Sequence, residues 1–476
     1  MLEPQTEWTN DKPAAPAAPL ALPRRRRSWV WLAARRGDFL TIIPPDAFER
    51  DCLELRVLSQ RYLLLNDPAA IQHVLHDAAE RYARSPLLQR MFRRTLGESL
   101  ITREGDAWRN HRHIMAPPFT PRSIRRHATS ITQATTDLVT SWTNLGEGAA
   151  LDLVPALRRL TITIVCRAMF STAAPEPVAL VQESVPGYVR SMRPRLLDLV
   201  ADWIPSIPAG RPRRAVPAME AAVEHIVTQR QSSVPAGADL LSQLLAAVEN
   251  GGMSMAAARD HIAHMLIAGH ETTEQTLLWA WYLLSLHPSV EATLHAELDG
   301  VLAGRRAEFE DIQRLPYTRR VIEETMRLCP PVHTLLRRAL ADDEVSGRQL
   351  RKHSEVLIMP LVIHRHRRLW SEPERFDPER FTPDQVKARH PFSYIPFGGG
   401  PRICLGANLA IVEAVLILAG VSQHFRLRLA PDQRVEPLAS VTLRPRYGMR
   451  MTLLRRRAGE RVRSGQGNGH DASRSV

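Results

Sequence analysis

Cysteine is scarce in this chain and never paired. Its four cysteines in 476 residues, Cys52, Cys166, Cys329 and Cys404, lie far apart with no C-x-x-C spacing. That argues against a disulfide scaffold and a cysteine zinc site, and it suits a reducing cytoplasm. Long apolar runs are missing too. A membrane-spanning helix needs about 20 consecutive apolar residues, and none occurs. The signal-like stretch Ser28-Trp29-Val30-Trp31-Leu32-Ala33-Ala34 is short and is closed at once by Arg35 and Arg36. There are no internal repeats, and no stretch interleaves aromatic with basic side chains as a base-reading groove would.

What is present is an ordinary globular composition, 44% apolar and 24% charged, enough to bury a large core. The net charge of +13 is unevenly spread: residues 1–36 and residues 455–476 carry +4 each, so the body is only mildly basic. Residues 1–36 read as a disordered Pro- and Ala-rich leader and 455–476 as a disordered basic tail. Residues 37–454 are left as one folded domain, with no flavin or ferredoxin module fitting after Leu454.

Along that body, Cys52–Val57 and Arg61–Leu65 form a hairpin by their alternation, and Asp67-Pro68 opens a helix reaching about His76. The basic, interrupted segment Pro86–Thr102 reads as a loop over a pocket. Asp106–Met115 reads as a helix with Trp108 and Arg112 four apart on one face. Residues 123–171 are helical, broken around Gly146–Gly148 and at Pro155. Pro175–Pro217 is expected to be chopped by its prolines into short pieces, the kind of segment that lids a substrate site. Ala218–Val248 is helical again, with a break at Pro235. Most of the chain is thus helical, with a small β-sheet region: a mainly α fold of the α+β class.

Two stretches carry chemistry. The first is Phe397-Gly398-Gly399-Gly400-Pro401-Arg402-Ile403-Cys404-Leu405-Gly406, followed by the apolar run Ala407–Ala419, whose only charge is Glu413. Cys404 therefore stands at a helix N-terminus, where unpaired N–H groups and the positive dipole end stabilise a thiolate. The glycines let the backbone bend tightly, and Arg402 supplies a cation suited to a carboxylate. The second is Met253–His287, a single long helix of about 50 Å with Ala268-Gly269-His270-Glu271-Thr272-Thr273 in its middle. An acid and two hydroxyl residues are poor choices for a buried helix interior. Thr272 can bond back to the Ala268 carbonyl and open a notch for water or a small ligand.

Both strings resemble motifs of the cytochrome P-450 superfamily, the haem-thiolate monooxygenases: the cysteine-ligand loop and the oxygen-activating helix. The resemblance covers about Gly37 to Leu454. It implies haem b between loop and helix, with Cys404 as the iron ligand, Phe397 and Gly406 of the loop binding the cofactor, and Arg402 among the residues that hold its propionates. Trp108, Arg112 and Arg337, with Arg338 as the alternative, would meet the propionates. Glu271 and Thr272 would deliver protons to dioxygen. The E-x-x-R pair Glu324 and Arg327 would lock to Arg380 of the second Pro-Glu-Arg-Phe segment and serve structure. One departure stands out: where relatives often carry Ile-Pro-x-Gly, this chain reads Leu350-Arg351-Lys352-His353, so the turn there is expected to be built differently.

The implied activity is hydroxylation or epoxidation of a hydrophobic small molecule, with two electrons from an external ferredoxin or flavodoxin type donor that Arg103 and Arg109 could help steer. A peroxide-driven or isomerising haem-thiolate enzyme is the alternative within enzymes, and a haem gas sensor the alternative outside them.

Overall fold

The computed structural model describes residues 38–57, 60–172, 175–192, 215–232 and 239–456. The leader, most of the tail, Pro235 and the middle of Pro175–Pro217 lie outside the described residues. In chain order the main helices are α1 (Pro86–Leu96), α2 (Gly105–Met115), α3 (Pro121–Thr143), α4 (Leu153–Phe170), α5 (Pro175–Ser191), α6 (Ala215–Gln231), α7 (Leu240–Glu249), α8 (Met255–Leu286), α9 (Pro288–Leu302), α10 (Pro316–Leu328) and α11 (Ala407–Ser422).

Strands β1 (Cys52–Val57) and β2 (Gln60–Leu65) form the expected antiparallel hairpin. They join β3 (Tyr82–Arg84), β5 (Leu335–Ala339) and β8 (Glu355–Ile358) in a five-stranded sheet ordered β1-β2-β8-β5-β3. A second sheet runs β4 (Ala150–Asp152), β12 (Arg450–Arg455), β9 (Phe425–Leu429). Two hairpins complete the set: β6 (Asp343–Val345) with β7 (Arg348–Leu350), and β10 (Pro437–Ala439) with β11 (Leu443–Pro445). Because β12 reaches Arg455, and Arg456 is buried against Asp299 at 2.7 Å, the body extends two residues past the expected tail boundary.

The core is built round α8. Ser254 caps it, its hydroxyl accepting from the Ala257 N–H and satisfying one of the orphan donors at the helix start. From Leu277 to Leu284 every side chain is buried, as an all-round apolar helix requires. It packs mainly on α4, with Gly269 facing Val165 so closely that a Cβ would sit 2.8 Å from the valine methyl. α3, α10 and α11 close the same core.

Three expectations need correction. Pro86–Thr102 is not a loop but begins with α1: Ser85 caps it, Leu87, Met91 and Leu96 form its buried side, and Gly97 ends it at φ 50. Proline does not chop 175–191, which is one helix with Pro175 and Pro177 in its first turn, where no intrahelical donor is lost, and Pro186 inside it. Pro155 likewise lies in the first turn of α4 and breaks nothing. The Leu350–His353 turn also keeps a left-handed residue, since His353 adopts φ 71 in place of a glycine; histidine is among the side chains that tolerate this region better than most.

Candidate functional site

The Cys404 loop is fastened at both ends. The Cys404 N–H donates to the Phe397 carbonyl at 3.0 Å, and Ala407 N–H to the Cys404 carbonyl at 3.4 Å. Gly400 has φ 66, and a Cβ there would meet the Leu75 carbonyl oxygen at 1.7 Å, so only glycine fits this crossing. The loop places Cys404 just before α11, whose N-cap is Gly406. The residue is exposed, whereas Cys166 and Cys329 are buried, although enough protein surrounds the Cys404 thiol to desolvate it. Desolvation pushes the Cys404 thiol up, opposed by the Gly406 N–H and the Arg112 charge. The other two have weaker or no such opposition, and burial drives each to about 12. Next to Cys404 in the chain, the apolar side chains Leu405 and Leu409 are only half-buried.

Beside the loop stands a concentration of guanidinium groups. Arg402 pairs with Glu104 and lies 4.1 Å over the Trp108 ring, with Arg112 at 5.7 Å from the same ring. Arg337 is buried, and desolvation, then Arg402, lowers it to about 10. Arg338 points elsewhere and pairs with Glu355 at 2.6 Å, which favours Arg337 for this site. The sequence reading missed Arg84. It lies opposite Arg337 in the β3–β5 pairing, and burial with the charges of Arg402 and Arg337 lowers it to about 9. No local signal marks it, because the strand pairing alone brings it here. Arg84, Arg337 and Arg402 thus share one carboxylate, Glu104, with Arg112 stacked on the same tryptophan as Arg402, and the unbalanced charge calls for further anions. Arg103 and Arg109 are less available: the first donates to the Glu98 carbonyl at 3.0 Å and the second pairs with Asp106.

On α8, Thr272 Oγ1 donates to the Ala268 carbonyl at 2.9 Å, as its position suggested, while the helix itself runs on unbroken. Glu271 is buried and accepts from the Thr442 hydroxyl at 2.7 Å. Thr442 and the neighbouring Glu413 were not anticipated as partners. Glu413, the lone charge of the apolar run, is buried against Thr273 at 3.5 Å and pushed by desolvation up to about 8. Its isolation in the sequence was the available signal. Away from the site, Glu324 takes two hydrogen bonds from Arg327 and lies 3.6 Å from Arg380, the arrangement expected of the E-x-x-R lock.

Known proteins place this arrangement. The family described as Cytochrome P450 matches residues 48–450. The chain is 32% identical to "Cyclooctatin synthase" of Streptomyces melanosporofaciens over 87% of this chain and 90% of that protein. It is 30% identical to "Cyclooctat-9-en-7-ol 5-monooxygenase" of the same organism, over 90% and 92%. A crystal structure of the cytochrome P450DA heme domain shares its fold with a TM-score of 0.74 at 24% identity, covering 86% of this chain and 91% of that one.

The chain belongs to the cytochrome P450 family. It is an oxidoreductase, a haem-dependent monooxygenase that uses dioxygen, an external redox partner and a hydrophobic substrate. Among the described residues no helix is long and apolar enough to cross a membrane.

The residues present fit haem. Among the described residues no cluster of three His, Cys, Asp or Glu gathers to hold a metal, so a single thiolate would need a macrocycle for the remaining ligands. The half-buried apolar wall beside Cys404 suits a flat porphyrin face, and the arginine cluster suits its two carboxylates.

Proposed function

We propose that this enzyme is a haem b monooxygenase in the cytoplasm that hydroxylates or epoxidises a cyclic, terpene-like hydrocarbon or an alcohol derived from it. A ferredoxin or flavodoxin type protein would supply its two electrons. Residues 37–454, with the short extension through Arg456, would form the catalytic domain, flanked by the leader and the tail. The relatives support a cyclic, terpene-like substrate, either the hydrocarbon or an alcohol derived from it: one is named as a monooxygenase of cyclooctat-9-en-7-ol. The observation that carries the reading is the exposed Cys404 at the start of α11, next to an arginine cluster short of anions.

In this reading Cys404 Sγ is the iron ligand, and the Gly406 N–H and Arg112 favour its thiolate. Arg112 and Arg402, both stacked on Trp108, would hold the propionates with Arg337, and Arg84 would join them. Phe397 and Gly406 frame the loop. Bound haem supplies the activation of dioxygen. Thr272 positions a proton at Oγ1, and Glu271 renews it from its carboxyl group, which the Thr442 hydroxyl holds in place.

The reduced protein with carbon monoxide should show the red-shifted Soret band of a thiolate haem. Cys404→His should abolish that band, while Cys166→Ala keeps it; a retained band in Cys404→His would refute the assignment. Thr272→Ala should keep the band and still accept electrons, but divert them to peroxide. Unchanged product per electron would remove the relay.

A further inference from the structure

A cavity of about 220 Å³ lies along the face of α8 that carries His270, Glu271 and Glu274. Its far wall brings Arg158 from α4, Arg190 from α5 and Arg444 from β11. Walls of mixed charge do not suit a hydrocarbon. They do suit water, and the volume holds several molecules at about 30 Å³ each.

Glu271 and Glu274 are three apart, hence neighbours on one helix face. The Glu274 side chain is 1% exposed, in a segment where leucine or alanine would be more stable. Its partner is loosely held. Arg158 Nε lies 3.3 Å from Oε2 and Nη2 3.4 Å from Oε1, and Arg158 itself is 26% exposed. Gln275 donates to Oε1 at 3.2 Å. His270 lines the same cavity. His270 is fully buried, its Nδ1 bonded to the Leu266 carbonyl, and its Nε2 has no protein partner. Desolvation, only partly offset by that bond, lowers it to about 4. It is therefore neutral, and Nε2 is an acceptor able to take a hydrogen bond from water.

We propose that this cavity is the water entrance for the proton supply, and that Glu274, held by Arg158, is the positioning residue that hands protons from cavity water to Glu271. The proposal rests on the reading of Glu271 and Thr272 as a relay. A hydronium proton from solvent, relayed through cavity water that is left as water, protonates the Glu274 carboxylate. The carboxyl then passes that proton to a deprotonated Glu271 and returns to carboxylate. The net uptake is one proton from solvent per cycle of the pair, and electrons come only from the redox partner. The surroundings suit the task. Burial pushes Glu274 up to about 7, Arg158 and Arg444 oppose this, and Glu271 adds to it. Both protonation states are therefore populated at neutral pH. Arg446 is committed to Asp38 and Glu436, and Arg190 stands on the exposed side.

The test combines infrared titration of the haem-loaded enzyme with turnover. The protonated-carboxyl band should contain a component titrating near pH 7 that Glu274→Gln removes and Glu413→Gln leaves. In turnover Glu274→Gln should keep the thiolate Soret band and substrate affinity. Its product per electron should fall about 10-fold, less than the roughly 10²–10⁴-fold of a group acting directly on the reacting atoms because Glu274 acts through Glu271, with a larger solvent isotope effect and a flattened pH profile. Glu274→Asp should restore part of the coupling; it also serves as the probe if the glutamine variant does not fold.

Wild-type coupling and pH profile in Glu274→Gln, while Thr272→Ala uncouples, would overturn this entrance and leave the relay standing. Absence of the component near pH 7 from the wild-type spectrum would overturn it equally. Intact coupling in Thr272→Ala would refute the relay and this proposal with it.

Discussion

Two buried glutamate–arginine pairs differ in how firmly they are held. Arg327 places all five of its N–H groups. Nε and Nη2 meet Glu324 at 2.6 and 2.8 Å, Nη1 meets the carbonyls of His364 and Pro373, and Nη2 also meets that of Arg375. Glu324 accepts in addition from the Asp377 N–H at 2.8 Å, and neither side chain has any exposure. Trp370 covers the guanidinium at 5.1 Å. Arg158 and Glu274, by contrast, meet only at 3.3 and 3.4 Å beside a cavity. A pair with every donor occupied fixes the chain around it. A pair with long contacts and an open side leaves its acid free to exchange a proton. Burial of the acid does not separate the two, since both glutamates are buried; they differ in the arginine, unexposed in Arg327 and 26% exposed in Arg158, and in satisfaction and access.

The largest expected effect comes from breaking the firm pair. Arg327→Ala leaves Glu324 buried without its two guanidinium hydrogen bonds, with Arg380 at 3.6 Å. Removing one partner of a buried pair costs about 3–5 kcal/mol. Urea unfolding, with haem content measured in parallel, should show that loss at every pH from 5 to 8. A cost below about 1 kcal/mol would mean that the hydrogen bonds to His364, Pro373 and Arg375 contribute little.

The contrast also explains what was legible in the sequence. Glu324 and Arg327 sit on one helix three apart, so their pairing is written locally. Cys404 and Thr272 are legible for the same reason, because a helix start and a back-bond to Ala268 are near neighbours in the chain. Arg158 and Glu274 lie on different helices, as Arg84 and Arg337 lie on different strands, and no spacing announces either. Helix α1 was hidden because Arg90, Arg93 and Arg94 broke up an apolar face that Leu87, Met91 and Leu96 nevertheless bury. The prolines of α5 misled because their cost depends on their place in a helix, which boundaries alone decide.

The second effect is a pH dependence that only the loose pair should have. Glu274 is raised from an ordinary 4.5 to about 7 in the folded state. Below the unfolded value both states hold the proton and nothing is lost. As pH rises from there through 7, the folded state keeps a proton the unfolded state has released, so stability declines. Each unit of separation corresponds to about 1.4 kcal/mol, so the total is on the order of 1–3 kcal/mol at pH 8. Glu274→Gln should remove that decline, unfolding at higher urea than the parent at pH 8 and with little difference at pH 5. Glu324→Gln should destabilise at both. A pH-independent difference in Glu274→Gln would place the two pairs in one class.

The smallest expected effect is that of Arg158→Met, which keeps the aliphatic stem of a side chain already 26% exposed. Arg327→Ala strips Glu324 of two guanidinium donors at a site with no exposure, leaving the Asp377 N–H. Glu274 has another course: it can take up a proton from the cavity and remain buried as a neutral acid. Loss of Arg158 should therefore appear in proton affinity more than in stability. At pH 6 the unfolding midpoint should move by less than about 0.5 kcal/mol, the scale of a partly exposed ion pair. At pH 8, where protonation is harder, the cost should grow to about 1 kcal/mol. The infrared band of Glu274 should meanwhile titrate about one pH unit higher, since an opposing charge has gone. If Arg158→Met instead costs several kcal/mol at both pH values with no change in that band, Glu274 is held as firmly as Glu324. The long contacts would then say nothing about proton exchange.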